Sequence, residues 1–100
     1  MTVHIGRLAH FPPETRAVVL IGNRSSDHLR ELVRIAEFHG RAADQIEAAS
    51  DLQPRWFIGE EKVGIVVGAP GLGPVVELVL ARLKQFSAAP ERGMLEGVAR

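Results

Sequence analysis

Two stretches carry no polar side chain at all: Ala17, Val18, Val19, Leu20 and Ile21, closed by Gly22, and Val63, Gly64, Ile65, Val66 and Val67, closed by a glycine-rich turn. Short, β-branched runs of this kind, bounded by turn residues, are the pattern of strands buried on both faces of a parallel sheet. Between them the period changes. Leu29, Leu32, Val33 and Ala36 fall at i, i+3, i+4 and i+7, Ile35 and Phe38 widen the stripe, and Arg30, Glu31, Arg34 and Glu37 take the polar side. This predicts an amphipathic helix that Gly40 ends at C′. Residues 42–46 are a weaker strand, since Asp44 and Gln45 interrupt them and only Ile46 is β-branched; the neighbouring elements argue for it. Residues 47–52 read as a turn or a single helical turn, and Trp56-Phe57 as a plug between helix and sheet.

The second helix is predicted from Pro74, comfortable at N1 behind a Gly73 N-cap. Val75, Val76, Val79, Leu80 and Leu83 give it an apolar face broad enough for the sheet or for another chain. After Phe86 the periodicity stops. The expected division is an arm or edge strand over 1–16, where Pro12 and Pro13 exclude a helix or central strand, an α/β unit over 17–86, and a tail over 87–100. The last part of that tail, 94–100, reads as a short added element or a loose end. The order strand, helix, strand, short helix, strand, helix predicts right-handed βαβ units. The fold class is therefore α/β, a small three-layer sandwich on a mainly parallel sheet. The loops that follow runs 17–21 and 63–67 should open at one sheet edge, where ligands of such sheets bind.

Composition narrows the chemistry. At 100 residues the chain is one domain with a modest core, which a second surface would supplement. Twelve Lys and Arg balance twelve Asp and Glu, and the isoelectric point near 6.9 argues against nucleic acid or an anionic membrane as partner. No run approaches the roughly 18 apolar residues of a membrane span and no signal-peptide core is present, so a cytoplasmic protein is expected. With no cysteine, disulfides, thiol catalysis and thiolate-held zinc or iron–sulfur clusters are excluded for this chain. His4, His10, His28 and His39 show no i, i+4 pair and no carboxylate cluster, and read as solvated or capping residues; neither a metal nor a cofactor is expected.

No catalytic residues emerge either. There is no Ser-His-Asp order and no paired carboxylate; Glu60-Glu61-Lys62 reads as a solvated loop, and Asp27 beside His28 as a first-turn anion favoured by the helix dipole. What remains is an anion site. Gly68-Ala69-Pro70-Gly71-Leu72-Gly73 offers backbone N–H groups at a helix N-terminus, and Ser25 and Ser26 approach from the neighbouring loop. The turn lacks both the G-x-G-x-x-G spacing and the Gly-Lys-Ser/Thr ending of nucleotide loops.

Residues 17–27 (AVVLIGNRSSD), 51–56 (DLQPRW) and 63–69 (VGIVVGA), with Ala81-Arg82-Leu83 downstream, resemble the last of the three domains of the LytB family, the 4-hydroxy-3-methylbut-2-enyl diphosphate reductases. The resemblance covers about residues 17–86. In that family a strand ends in Gly-Ser-Lys-Asn-Ser-Ser-Asn and a later one in Thr-Ala-Gly-Ala-Ser, and hydroxyls and an amide from both loops hold the substrate diphosphate. The resemblance implies that Ser25 and Ser26 match the serine pair of a somewhat longer loop. It also implies that Asp27 replaces the asparagine, and that Pro70 replaces the phosphate-binding serine, with Leu72 where a proline usually follows. A carboxylate for an amide removes a donor and adds a negative charge; proline for serine removes a hydroxyl and an N–H together. Each charge-assisted hydrogen bond lost would cost about 1.5 to 3 kcal/mol.

The expected site is thus a degenerate anion pocket at Ser25, Ser26, Asp27, Gly68, Ala69, Gly71 and Gly73. Its ligand would be a phosphorylated small molecule. The chain reads as a free-standing relative of that C-terminal domain, without reductase activity of its own, serving as an accessory subunit or joined by a partner chain that supplies the other domains. The alternative is a homodimeric interaction module with no small-molecule ligand, built on the apolar face of the second helix.

Overall fold

The computed structural model describes residues 1–93. Four strands, β1 (Thr2–Ile5), β2 (Ala17–Ile21), β3 (Ala42–Ile46) and β4 (Lys62–Val67), form one parallel sheet in the order β1-β4-β2-β3. Two helices complete it, α1 (Asp27–Phe38) and α2 (Gly73–Gly93), with single 3₁₀ turns at Leu8–His10, Ala49–Asp51 and Pro54–Phe57. Of the readings open for the first residues, edge strand is the one that holds. Thr2–Ile5 pairs in parallel with β4, so the sheet has four strands rather than the three buried runs alone. The tail 87–100 begins differently from expectation: the backbone of α2 continues to Gly93. The expectation for 94–100 lies outside the described residues.

Every residue of β2 is buried, and alternation divides them between two cores. Ala17, Val19 and Ile21 join Val63 and Ile65 beneath Val79 and Leu83 of α2, with Ile46, Leu52 and Phe57 closing that side. Val18 and Leu20 join Val66 beneath Leu29 and Ala36 of α1, with Leu8 and Phe11 beside them. The architecture is three-layered: helix, sheet, helix. Phe57 stacks on Phe86 at 5.9 Å and stands edge-on to Trp56 at 6.2 Å, so the aromatic pair is the plug its setting predicted. The apolar face of α2 lies on the sheet; Leu78, at 62% exposed, is the large apolar side chain that this helix shows to water. On α1 the stripe is narrower than its sequence implied. Ile35 is 39% and Phe38 86% exposed, since both lie past the edge of the arc that Leu29 and Ala36 press onto β2.

The 6–16 segment, bare of periodic signal, is tied down by three devices. Arg41 donates from Nη1 to the Leu8 carbonyl at 3.1 Å and from Nη2 to the carbonyls of Phe11 at 3.2 Å and Pro12 at 3.4 Å. The Phe11 ring packs against Gly64, where an added Cβ would come within 2.5 Å of its Cε2. Lys62 reaches the Glu14 carboxylate at 2.7 Å and holds it below the usual carboxylate range.

Candidate functional site

Parallel register brings two loops together. Ile21 at the end of β2 pairs with Val67 at the end of β4, so residues 22–27 and 68–73 leave the sheet side by side. The Gly68 N–H donates to the Ile21 carbonyl at 2.7 Å. Leu29, 1% exposed, wedges the two loops: its Cδ1 would lie 2.6 Å from a Cβ on Gly22 and 2.9 Å from one on Gly68. A Cβ on Gly22 would displace the Leu29 methyl, and one on Gly68 would in addition meet the Ile21 carbonyl oxygen at 2.8 Å, which cannot give way. Gly71, at φ +84°, supplies the left-handed turn that leads into α2, a helix whose first N–H groups lack intrahelical acceptors until Val76 donates to the Leu72 carbonyl.

The loop before α1 is largely occupied by its own bonds. Asn23 Oδ1 accepts the Ser25 N–H at 2.7 Å, and the Ser26 hydroxyl accepts the Leu29 N–H at 3.2 Å, making Ser26 the N-cap of α1. Asp27 pairs with Arg30 in the first turn. The Arg24 N–H donates to the Glu47 carboxylate at 2.8 Å. The Arg24 guanidinium lies 3.3 Å from Asp51. Ser25, Ser26 and Asp27 thus sit at the same rim as Gly68, Ala69, Gly71 and Gly73, but the N–H groups of Arg24 and Ser25 on the β2 side have internal partners and three carboxylates border the loop. Arg24 and Arg30 pair with these carboxylates, so two positive charges against three negative leave the loop with one net negative charge.

Asp51 anchors that border. Its carboxylate accepts the N–H groups of Glu47 at 3.1 Å and Ala48 at 3.2 Å, and these bonds, before the pairing with Arg24, hold it below its ordinary value of 3.8. A depressed folded-state pKa gives stability that is present above the unfolded value and lost as pH falls through the folded one. Thermal melts of the protein and of Asp51→Ala should therefore differ fully at pH 6, and the gap should close as pH drops from about 4 towards 2. A gap unchanged at the lowest pH would assign the effect to packing instead.

Sequence reasoning missed a second feature, a groove of about 890 Å³ between α1 and the segment that follows β1. Its floor is Leu8, Leu32, Ala36 and Val66; Arg7, His28, His39 and Arg41 stand around it. The signal was available. His28, Leu32, Ile35 and His39 recur at i, i+4, i+7 and i+11, one line along a helix, although no pair of histidines stands at i, i+4.

Among the described residues no trio of His, Asp, Glu or Cys is arranged to hold a metal ion, and no helix is long and apolar enough to cross a membrane. Residues 7–84 match the family described as LytB protein. The 4-hydroxy-3-methylbut-2-enyl diphosphate reductase of Methylibium petroleiphilum is 35% identical over 82 residues, 82% of this chain and 25% of that protein. That of Vibrio vulnificus is 34% identical over 71 residues, 71% of this chain and 22% of that protein. A solved structure of (E)-4-hydroxy-3-methyl-but-2-enyl diphosphate reductase, described as the terminal enzyme of the non-mevalonate pathway, superposes with a TM-score of 0.65 at 34% identity over 73% of this chain and 26% of its own. The chain spans about a quarter of the length of the relatives it matches. With the sheet, the paired loops and the match over 7–84 in agreement, the chain belongs to the LytB family and corresponds to one part of the reductase.

Proposed function

We propose that this chain is an accessory form of the LytB C-terminal domain, acting in the cytoplasm, whose two turns still face a phosphorylated small molecule but hold it weakly. The observation that carries the reading is the junction itself: the 22–27 and 68–73 loops are locked side by side by Leu29 and the Gly68 to Ile21 hydrogen bond, while Ser26 caps α1, Glu47 takes the Arg24 N–H and Asp27 adds a carboxylate. Backbone amides of the 71–75 turn then carry what binding remains. With no cysteine to hold a [4Fe–4S] centre, electron delivery would fall to other domains of the same assembly, on this chain or on a partner.

Pyrophosphate titrated into the protein should bind with a dissociation constant of about 1 mM or weaker, roughly 4 kcal/mol of binding energy. Amide resonances of Ser25, Ser26, Gly71 and Gly73 should move together. Asp27→Asn removes the charge and restores an amide donor, and should tighten binding about tenfold, the lower end of the value of a charge-assisted hydrogen bond. Absence of any shift at these amides, with Asp27→Asn equally silent, would leave only the scaffold role.

A further inference from the structure

The two flanks of α1 carry opposite chemistry. Asp27, Arg30, Glu31 and Arg34 lie on the side of β3 with Gln45, and the acids there pair with the arginines one turn on. The other flank holds His28 and His39 over the groove, joined by Arg7 and Arg41, and no carboxylate among the described residues lines it. The ion pairs of the described residues use Arg24, Arg30, Arg34 and Lys62, and neither Arg7 nor Arg41. Arg41 is fixed by its three carbonyl acceptors, which orient the guanidinium without cancelling its formal charge. A cavity of about 890 Å³ lies within the range that small-molecule ligands occupy, and its floor is aliphatic.

We infer that this groove is a second binding site, separate from the loop junction, for a small amphipathic oxyanion: an apolar body seated on Leu8, Leu32 and Val66 with its phosphate or carboxylate head against Arg7, His28 and Arg41. Charge complementarity selects the head and the aliphatic floor selects the body. Neither alone suffices, since exposed cations bind a free anion weakly in salt and a half-polar groove does not hold a neutral hydrocarbon.

The test is an NMR titration of the intact protein with hexyl phosphate, hexanoate, inorganic phosphate and hexanol at equal concentration. Hexyl phosphate, hexanoate or both should saturate and move the amides of Leu8, Ile35, His39 and Val66, and the stronger of the two identifies the head group. Inorganic phosphate and hexanol should bind at least tenfold more weakly there. Arg7→Glu and His28→Glu, both at exposed positions, should each weaken binding at least tenfold with unchanged melting temperature, and Glu31→Gln on the opposite flank should leave it alone. Shifts confined to Ser25 and Gly71 would mean that the anion reads only the loop junction and would overturn the groove site. So would equal binding of hexanol, or indifference to Arg7→Glu and His28→Glu alike. Pyrophosphate, lacking an apolar body, reports on the junction by itself, so the two sites fail or stand independently.

Discussion

Replacing Leu29 with alanine is expected to lower the unfolding free energy by about 2 to 5 kcal/mol, the usual range for truncating a fully buried leucine. The loss should have a particular structure, because Leu29 fills the space that two glycines leave open. Gly22→Ala alone places a Cβ 2.6 Å from Leu29 Cδ1 and should cost about 1 to 3 kcal/mol by overpacking. In the Leu29→Ala background its nearest remaining neighbour is the Gly68 Cα at 3.6 Å, an ordinary contact, so the same substitution should become nearly neutral or restorative. Gly68→Ala should not be rescued, since its Cβ still meets the Ile21 carbonyl oxygen at 2.8 Å. Urea unfolding of the single and double variants measures this coupling directly. If Gly22→Ala costs the same in both backgrounds, Leu29 is not the wedge between the loops.

Phe11→Ala should destabilise by about 3 to 5 kcal/mol, the cost of emptying a buried aromatic site. Phe11 is 6% exposed, although it follows a stretch of the chain that has no helix or strand pattern and precedes two prolines. Its ring covers Gly64 in the middle of β4, and its carbonyl is one of the three that Arg41 holds. Removing the ring would open the sheet beside α1 and release the 6–16 segment, so amide exchange at Leu8 and Phe11 should accelerate more than exchange in α2. A loss under about 1 kcal/mol would mean that the arm is an ornament on a core complete without it. Gly64→Val fills the same space from below and should also be poorly tolerated, since the clash falls on a ring packed on its far side.

These two residues show where reading the chain succeeds and where it stops. Leu29 is marked by its period as a core position of α1, and that is correct; that its methyl also sets the spacing of two loops 40 residues apart in sequence follows only from parallel register. Phe11 carries no period at all. His28 and His39 are visible as residues, yet the groove they border exists because Arg41 draws the Leu8–His10 turn back over the sheet. Ser26 resembles a phosphate ligand by its place in a motif, and its hydroxyl caps α1.

By itself the sequence determined the α/β class, the buried strands at residues 17–21 and 63–67, the first amphipathic helix, the absence of thiolate chemistry and the resemblance to LytB. All of these rest on local periodicity or residue type, and local signals survive without knowledge of neighbours. Tertiary structure alone decided that Thr2–Ile5 is a fourth strand, that the face of α2 is used on the sheet, that the Arg24 N–H of the 22–27 loop is taken by Glu47, and that two arginines and two histidines share one groove. Each of those facts is a contact between segments far apart in the chain, set by packing and strand order, and no window along the sequence contains both partners.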